Sequence, residues 1–304
     1  MKHIPVLALQ VLNAFKKTNV IKNGCYVDLT LGLGGHAALV MKTYEPKTVV
    51  AMDRDEQMLK LGEAVVRKSM VDCSISTIDL KCIHASYSEI NQQFPKEITS
   101  TDAVLMDLGV ASPHFDDSER GMSIRLNGPL DMRLDRSQAL TAATVVNTYS
   151  EKELGRIFRD FGEERHWRAA ARTLVSLRNE PGYQGIQTTF ELVHALEPVL
   201  GPRSGRIHPA TKIFQAIRMA VNDELDHLEI ALPKVISRLT SPGGCLAVIS
   251  FHSLEDRIVK QTFLHAAQQG LASFVSKKPL TAEKDEIAAN PRSRSAKLRY
   301  LIRA

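Results

Sequence analysis

The chemically richest stretch of this chain is a glycine run, Asp28-Leu-Thr-Leu-Gly32-Leu-Gly34-Gly35-His36-Ala37. It follows an apolar, strand-like segment and opens a helix-like one. Glycines there permit positive φ and let a ligand reach the backbone with no Cβ in the way. Asp53 ends the next apolar segment about 20 residues further on, where a carboxylate can bond ribose hydroxyls. Gly32, Gly34 and Ala37 formally satisfy G-x-G-x-x-A, which admits a nicotinamide dinucleotide. Asp28 opposes that reading, because a carboxylate beside the loop repels a pyrophosphate and suits a cation. S-adenosylmethionine carries a sulfonium, an ammonium and a ribose, so acids at Asp28 and Asp53 point to it as the cofactor.

Two further polar clusters follow strand-like segments. The first is Asp107-Leu-Gly109-Val-Ala-Ser112-Pro113-His114. Ligands of open α/β sheets sit beyond the carboxyl ends of the strands, which sets Asp107 toward the methionine end of the cofactor and the methyl acceptor. The second is Ser250-Phe251-His252-Ser253-Leu254-Glu255-Asp256-Arg257. Phe251 could stack on a base or pack in the core. His252 and Glu255 are spaced i, i+3, but no second histidine is suitably placed, so no metal site is expected. Trp167 and Phe158 fall on helical repeats and read as packing residues. Arg218 and Asn222 share one helix face and could bound a cleft or cap a packed surface. His166, His194, His227 and His265 suggest no partner.

These residues need a scaffold, and the sequence supplies an alternating one. Apolar runs at residues 25–29, 48–52, 78–83 and 103–106 alternate with helical stretches, clearest at 56–68. Such alternation indicates parallel βαβ units with both sheet faces covered. Residues 113–207 read as helices instead. Ser150 and Glu153 make a capping box for a helix to about Gly162, and further helices are expected at 165–178 and 189–196. Gly and Pro at Pro181-Gly182 and Gly201-Pro202 punctuate this region. A helix at 211–239, kinked or divided at Pro233, precedes a fifth strand at 245–249, a helix at 254–267 and a final strand at 297–302. The fold class is therefore α/β, a Rossmann-like, doubly wound and mostly parallel sheet with an inserted helical domain. The expected cofactor-binding core comprises residues 1–133 and 208–304, and the helical insertion 134–207.

With 44% hydrophobic residues among 304, a sizeable core is possible and global disorder is not expected. No stretch approaches the ~20 apolar residues that span a bilayer, and residues 1–17 lack a secretion-type cleavage site, so a cytoplasmic protein with no membrane partner is expected. Cys25, Cys73, Cys82 and Cys245 form no C-x-x-C pair and read as reduced thiols. The net charge of +5 is concentrated: from Lys277 onward eight Lys/Arg face three Asp/Glu. Arg292, Arg294, Lys297, Arg299 and Arg303 follow with no acid among them. Such a surplus either attracts a phosphate backbone or forms a solvated basic tail.

The chain closely resembles the RsmH/MraW family of small-subunit ribosomal RNA cytosine-N4 methyltransferases. The resemblance rests on His3-Ile-Pro-Val-Leu7, residues 28–36, Met52-Asp53-Arg-Asp55 and Asp107-Leu-Gly-Val-Ala-Ser-Pro113. It continues through Glu119-Arg-Gly-Met122, Gly128-Pro-Leu-Asp-Met-Arg133 and Phe161-Gly-Glu-Glu-Arg165. His208-Pro-Ala-Thr211, Phe214-Gln-Ala-Ile-Arg218, Val221-Asn222, residues 250–260 and Asn290-Pro-Arg-Ser-Arg-Ser295 complete it. The chain departs from the family at Gln10, Ala37, Ala111 and His114, the last standing where a glutamine is usual. The resemblance implies a class I core that moves a methyl group from S-adenosylmethionine to N4 of a decoding-centre cytidine in 16S rRNA, within the small ribosomal subunit. It implies cofactor contacts at Gly34, Gly35, His36, Asp53, Tyr87 and Asp107, with a further contact at His114 and Tyr87 covering the adenine. An acceptor for the N4 hydrogens would be Asp107 or a carbonyl of residues 108–113, which include Ser112 and Pro113. Phe251, His252, Arg257, Arg292 and Arg294 are candidates for holding RNA, together with the helical insertion 134–207, which is expected to be the RNA-substrate domain. The alternatives from sequence are an amino-methyltransferase acting on DNA or protein, and a nonenzymatic ribosome assembly factor.

Overall fold

A computed structural model describes residues 5–16, 18, 24–75, 77–201, 208–238, 241–276 and 278–304. The expectations that fell on Pro202, Ile207 and Leu239 lie outside them. The strands are β1 (Cys25–Asp28), β2 (Thr48–Asp53), β3 (Asp79–His84), β4 (Ala103–Asp107), β5 (Cys245–Ser250), β6 (Ala272–Phe274), β7 (Leu280–Thr281) and β8 (Lys297–Arg303). They form one sheet in the order β3-β2-β1-β4-β5-β8-β6, with β7 paired to β8. β1 to β5 run parallel, while β8 is antiparallel to β5, β6 and β7. The strand order reverses between β1 and β4, so the ligand crevice of such a sheet opens at their carboxyl ends.

Strict alternation explains how short apolar runs make this sheet. In β4, Val104 and Met106 join one core while Ala103 and Leu105 join the other. In β5, Leu246 and Val248 face the first core, and Cys245, Ala247 and Ile249 the second. Helices Glu224–Arg238 and Ser253–Gln268 cover the first face with Leu228, Leu232, Val235, Val259 and Phe263. Helices Ala8–Phe15, Gly35–Tyr44 and Glu56–Asp72 cover the second with Val11, Phe15, Val40, Met41, Leu59 and Val66. With both faces dry, polar groups at the strand ends emerge only at the sheet's rim. Among the described residues, no helix is long and apolar enough to cross a membrane.

The chain divides into two compact units, Met1–Gly109 with Leu225–Ala304, and Val110–Glu224. This corrects the expected boundaries at 133/134 and 207/208. Met122, Leu130 and Met132, and Ile213, Phe214 and Ile217 of helix Thr211–Val221, share the helical unit's own core with Val145, Leu154, Phe158 and Leu174. Their apolar side chains, not the local pattern, assign them there. Within this unit the expected capping box forms, with Ser150 N–H donating to Glu153 Oε2 at 2.8 Å and Glu153 N–H to Ser150 Oγ at 3.3 Å.

The division expected at Pro233 occurs instead at Asn222 and Asp223, the latter at φ 46°. Pro233 lies inside the helix Glu224–Arg238. The cause is Asn222, fully buried, whose Oδ1 accepts the Leu134 N–H at 2.8 Å and whose amide donates to the carbonyls of Met132 at 2.7 Å and Arg218 at 2.8 Å. Arg218 forms a bidentate pair with Glu224 at 2.8 and 2.9 Å, so both residues serve the fold. Asn222→Ala leaves buried backbone groups unsatisfied and should destabilise the protein by ~2–3 kcal/mol in urea titration. A loss below ~0.5 kcal/mol would show that Asn222 does not hold this junction.

Candidate active site

Asp53 ties the glycine loop to the end of β2. Leu31 N–H donates to the Met52 carbonyl at 2.8 Å, and Gly32 N–H to Asp53 Oδ2 at 2.7 Å. Asp53 Oδ1 accepts the Asp55 N–H at 2.9 Å. Gly34, at φ 74°, adopts a left-handed conformation and leads into helix Gly35–Tyr44. A Cβ on Gly34 would lie 2.6 Å from the Gly62 carbonyl oxygen, and one on Gly62 would lie 2.5 Å from that of Gly32. Gly62 belongs to the interior of helix Glu56–Asp72, where glycine costs ~1 kcal/mol relative to alanine. Its role is to let the loop lie directly on the helix. Sequence reasoning missed it, although a glycine inside a helical pattern was the available signal.

The acids at the rim are poorly solvated. Asp28 is 1% exposed, accepting the Tyr26 hydroxyl at 2.9 Å and the Thr30 N–H at 3.2 Å. Burial pushes its carboxyl up to about 7, with the Asp53 charge adding to the rise and the two hydrogen bonds opposing it. Asp107 ends β4, and its N–H donates to Thr30 Oγ1 at 2.7 Å, joining the ends of β1 and β4. Its Oδ2 lies 3.6 Å from Nε2 of His36, which is 7% exposed. Asp107 Oδ1 is buried and accepts no hydrogen bond among the described residues. Burial, then the charges of Asp28 and Glu255, hold Asp107 well above the usual carboxylate range.

Tyr87 is half-buried on a 3₁₀ turn, Tyr87–Glu89, beyond β3. His227 meets its ring edge-on at 6.4 Å, and His227 Nδ1 lies 2.7 Å from both the Ser86 and Ser88 hydroxyls. Lys234, two turns along the same helix, donates to the Ser88 carbonyl at 2.7 Å. His227, for which the sequence suggested no partner, thus helps fix the turn that carries Tyr87.

Phe251 is half-buried, 3.4 Å from where a Cβ on Gly109 would stand, and Gly109 has φ 96°. His252 and Glu255 form a helix cap: Glu255 Oε2 accepts the Phe251 N–H at 2.8 Å, and His252 Nδ1 accepts the Glu255 N–H at 3.4 Å. Their i, i+3 spacing therefore has a structural cause. Arg257 is exposed on that helix. Arg292 and Arg294 are exposed on the turn Pro291–Ser295 that enters β8, and β8 begins opposite Ser250 at the end of β5. That register places the turn at the rim of the sheet where the acids emerge. The rest of the basic run is not a tail. Arg299 is 4% exposed and holds Asp256 at 2.6 and 3.1 Å, and Lys297 lies 3.6 Å from the same carboxylate.

Ser112, Pro113 and His114 belong to the helical unit, in the short helix Ser112–Asp116. His114 is 4% exposed and turned to its own helix, its Nδ1 accepting the Ala111 N–H at 3.0 Å. The structure thus gathers Asp28, Gly32, Gly34, Gly35, His36, Asp53, Tyr87, Asp107 and Phe251 at the carboxyl edge of one unit.

A glycine loop with no room for a Cβ at Gly34, acids ending three adjacent parallel strands, and a buried carboxylate oxygen unsatisfied among the described residues suit a cationic nucleoside and oppose a pyrophosphate. Fold and site together define a class I methyltransferase using S-adenosylmethionine. The MraW methylase family matches residues 1–304. A ribosomal RNA small subunit methyltransferase H from Acidobacterium capsulatum is 42% identical over 303 residues, covering 98% of this chain and 97% of that one. Another so named, from Gloeothece citriformis, is 43% identical over 304 residues, covering 99% and 94%. The chain belongs to the MraW methylase family.

The buried Asp28 has a measurable consequence. Its folded pKa of about 7 exceeds the unfolded value near 3.9, so between these limits the native state holds the extra proton. Stability from this group is present below the unfolded value and is lost as pH rises through about 7. Denaturation of the cofactor-free protein at pH 5 and pH 8 should show wild type losing about 2 kcal/mol more than Asp28→Asn. Equal losses would remove the buried acid from the account. Separately, Gly62→Ala should weaken cofactor binding at least tenfold by calorimetry, because its Cβ displaces the Gly32 carbonyl; unchanged affinity would mean the contact is not needed.

Proposed function

We propose that this enzyme methylates the N4 amino group of a decoding-centre cytidine in 16S rRNA, acting on the small ribosomal subunit. The rRNA substrate is supported by relatives named as small-subunit rRNA methyltransferases at 42% and 43% identity. The amino acceptor is supported by the motif resemblance and by one structural observation, the buried Asp107 Oδ1, at the sheet's switch point, that accepts no hydrogen bond among the described residues.

The residues have distinct work in this reading. Gly32, Gly34, Gly35 and His36 would lie against the donor, Asp53 would bind its ribose and Tyr87 would cover its adenine. Asp28, being buried, acts through its field and through its hold on Thr30. The bound donor supplies an electrophilic methyl group carried on a sulfonium. Cytosine N4 is a poor nucleophile because its lone pair is delocalised into the ring. Asp107 Oδ1, accepting an amino hydrogen, localises that lone pair and then receives the proton released on methylation. A carboxylate with a raised pKa suits that step. For the second amino hydrogen we retain a carbonyl among residues 108–113, the stretch holding Ser112 and Pro113. Phe251, His252, Arg257, Arg292 and Arg294 remain the candidates for the RNA chain, the two last as phosphate contacts.

Mass spectrometry of rRNA nucleosides from cells with and without this protein should show one N4-methylated cytidine lost; an unchanged nucleoside profile would sink the assignment. With saturating cofactor, Asp107→Asn should slow single-turnover transfer by roughly a hundredfold or more. Near-normal turnover would take Asp107 out of the mechanism.

A further inference from the structure

The helical unit carries a basic, aromatic cleft that the reaction described above does not use. Helix Glu151–Asp160 presents Lys152, Arg156 and Arg159 on exposed positions, and Trp167 opens the next helix, Trp167–Leu177. With Ser150 and Glu153 these residues line an open cavity of about 580 Å³, within the size range of small-ligand sites. The sequence suggested that Trp167 packs inside the fold. The structure packs one side of it against the helical unit's core, as expected, and leaves the rest partly exposed beside three cations.

The indole is held in place. A Cβ on Gly155 would lie 2.9 Å from Trp167 Cζ3, so the glycine makes room for the ring against the helix. The Arg168 guanidinium carbon lies 4.1 Å from the ring centroid and that of Arg159 5.5 Å. Glu153, which also lines the cleft, accepts the Ser150 N–H at 2.8 Å and hydroxyl at 2.6 Å, and these bonds, with the nearby Arg156 charge, keep it ionised. Arg159 is partly neutralised by Asp160 at 2.6 and 3.0 Å. Lys152, Arg156, Arg159 and Arg168 outnumber Glu153 and Asp160, so the cleft stays net cationic although Arg156 faces both acids.

We infer that this cleft binds single-stranded RNA, one base stacking on the Trp167 and Arg168 platform and neighbouring phosphates resting on Lys152 and Arg156. A nucleotide is the ligand class that offers both a π-face and adjacent negative charge. An acidic peptide without aromatic side chains offers only charge, and an apolar molecule would leave the guanidinium groups desolvated. The inference rests on the RNA reading above and gives the helical unit, expected from the sequence to hold RNA, a particular attachment point at Trp167.

Trp167 is the chain's single tryptophan, so indole fluorescence reports on this cleft alone. The full chain is titrated with single-stranded RNA of about eight nucleotides, a typical single-strand site size, and in parallel with heparin, a polyanion without bases. RNA should quench saturably and heparin should not. Trp167→Ala should weaken RNA binding roughly tenfold, while Trp167→Phe, which keeps a stacking face and guards against a misfolded alanine variant, should retain most of it. Lys152→Gln with Arg156→Gln should lower the salt slope by about 1.4. Absent quenching, equal quenching by heparin, or unchanged affinity in Trp167→Ala would overturn the inference. Methyl transfer to small subunits is measured on the same wild-type protein. Transfer without quenching sinks the cleft alone, and quenching without transfer sinks the rRNA reading alone.

Discussion

Three carboxylates end three adjacent parallel strands, Asp53 on β2, Asp28 on β1 and Asp107 on β4, and the burial of Asp28 and Asp107, with the repulsion among the acids second, is the constraint around which the rim is built. Burial makes that repulsion expensive, because low local polarity weakens screening and penalises each ionised form. The fold relieves it unevenly. Backbone N–H groups of Gly32 and Asp55 reach Asp53, Asp28 takes one with a tyrosine hydroxyl, and Asp107 keeps one oxygen with no donor among the described residues. A ligand carrying fixed positive charge completes the set, and a sulfonium does so without a proton to lose.

The rest of the architecture holds this arrangement at short range. The sheet is dry on both faces, so strand ends are where polar chemistry can surface. Gly34 and Gly62 bring two backbones close enough that the loop cannot drift from its helix. Thr30 links the ends of β1 and β4 through the Asp107 N–H, and helix Glu224–Arg238 grips the Tyr87 turn from His227 and Lys234. Each link joins residues far apart in the chain, which makes the pocket a property of the folded sheet rather than of any one motif.

That distance also explains what could be read in advance. The strands expected at 25–29, 48–52, 103–106 and 245–249 appear within one residue at each end, because buried parallel strands announce themselves as short apolar runs. The position of the glycine loop, and of Asp28, Asp53 and Asp107 at strand ends, was legible for the same local reason. Gly62, the His227 contact with Ser86 and the Arg299–Asp256 pair were not, since their partners lie 28 to 141 positions away. Asn222 outweighed Pro233 at the helix break because a fully buried amide with three backbone partners decides the local path, and no pattern of hydrophobicity encodes that. The unit boundaries were misplaced because 110–133 is irregular in sequence yet buries Met122, Leu130 and Met132 in the helical core.

The charge balance at the rim is tested most directly by counting protons as the donor binds. Calorimetric titration with S-adenosylmethionine near pH 7, repeated in buffers of different ionisation heat, yields that count. Wild type should release more protons than Asp28→Asn, because the cation drives the buried carboxyl to ionise. Identical proton counts in the two proteins would contradict the view that this pocket is an acidic rim waiting for positive charge.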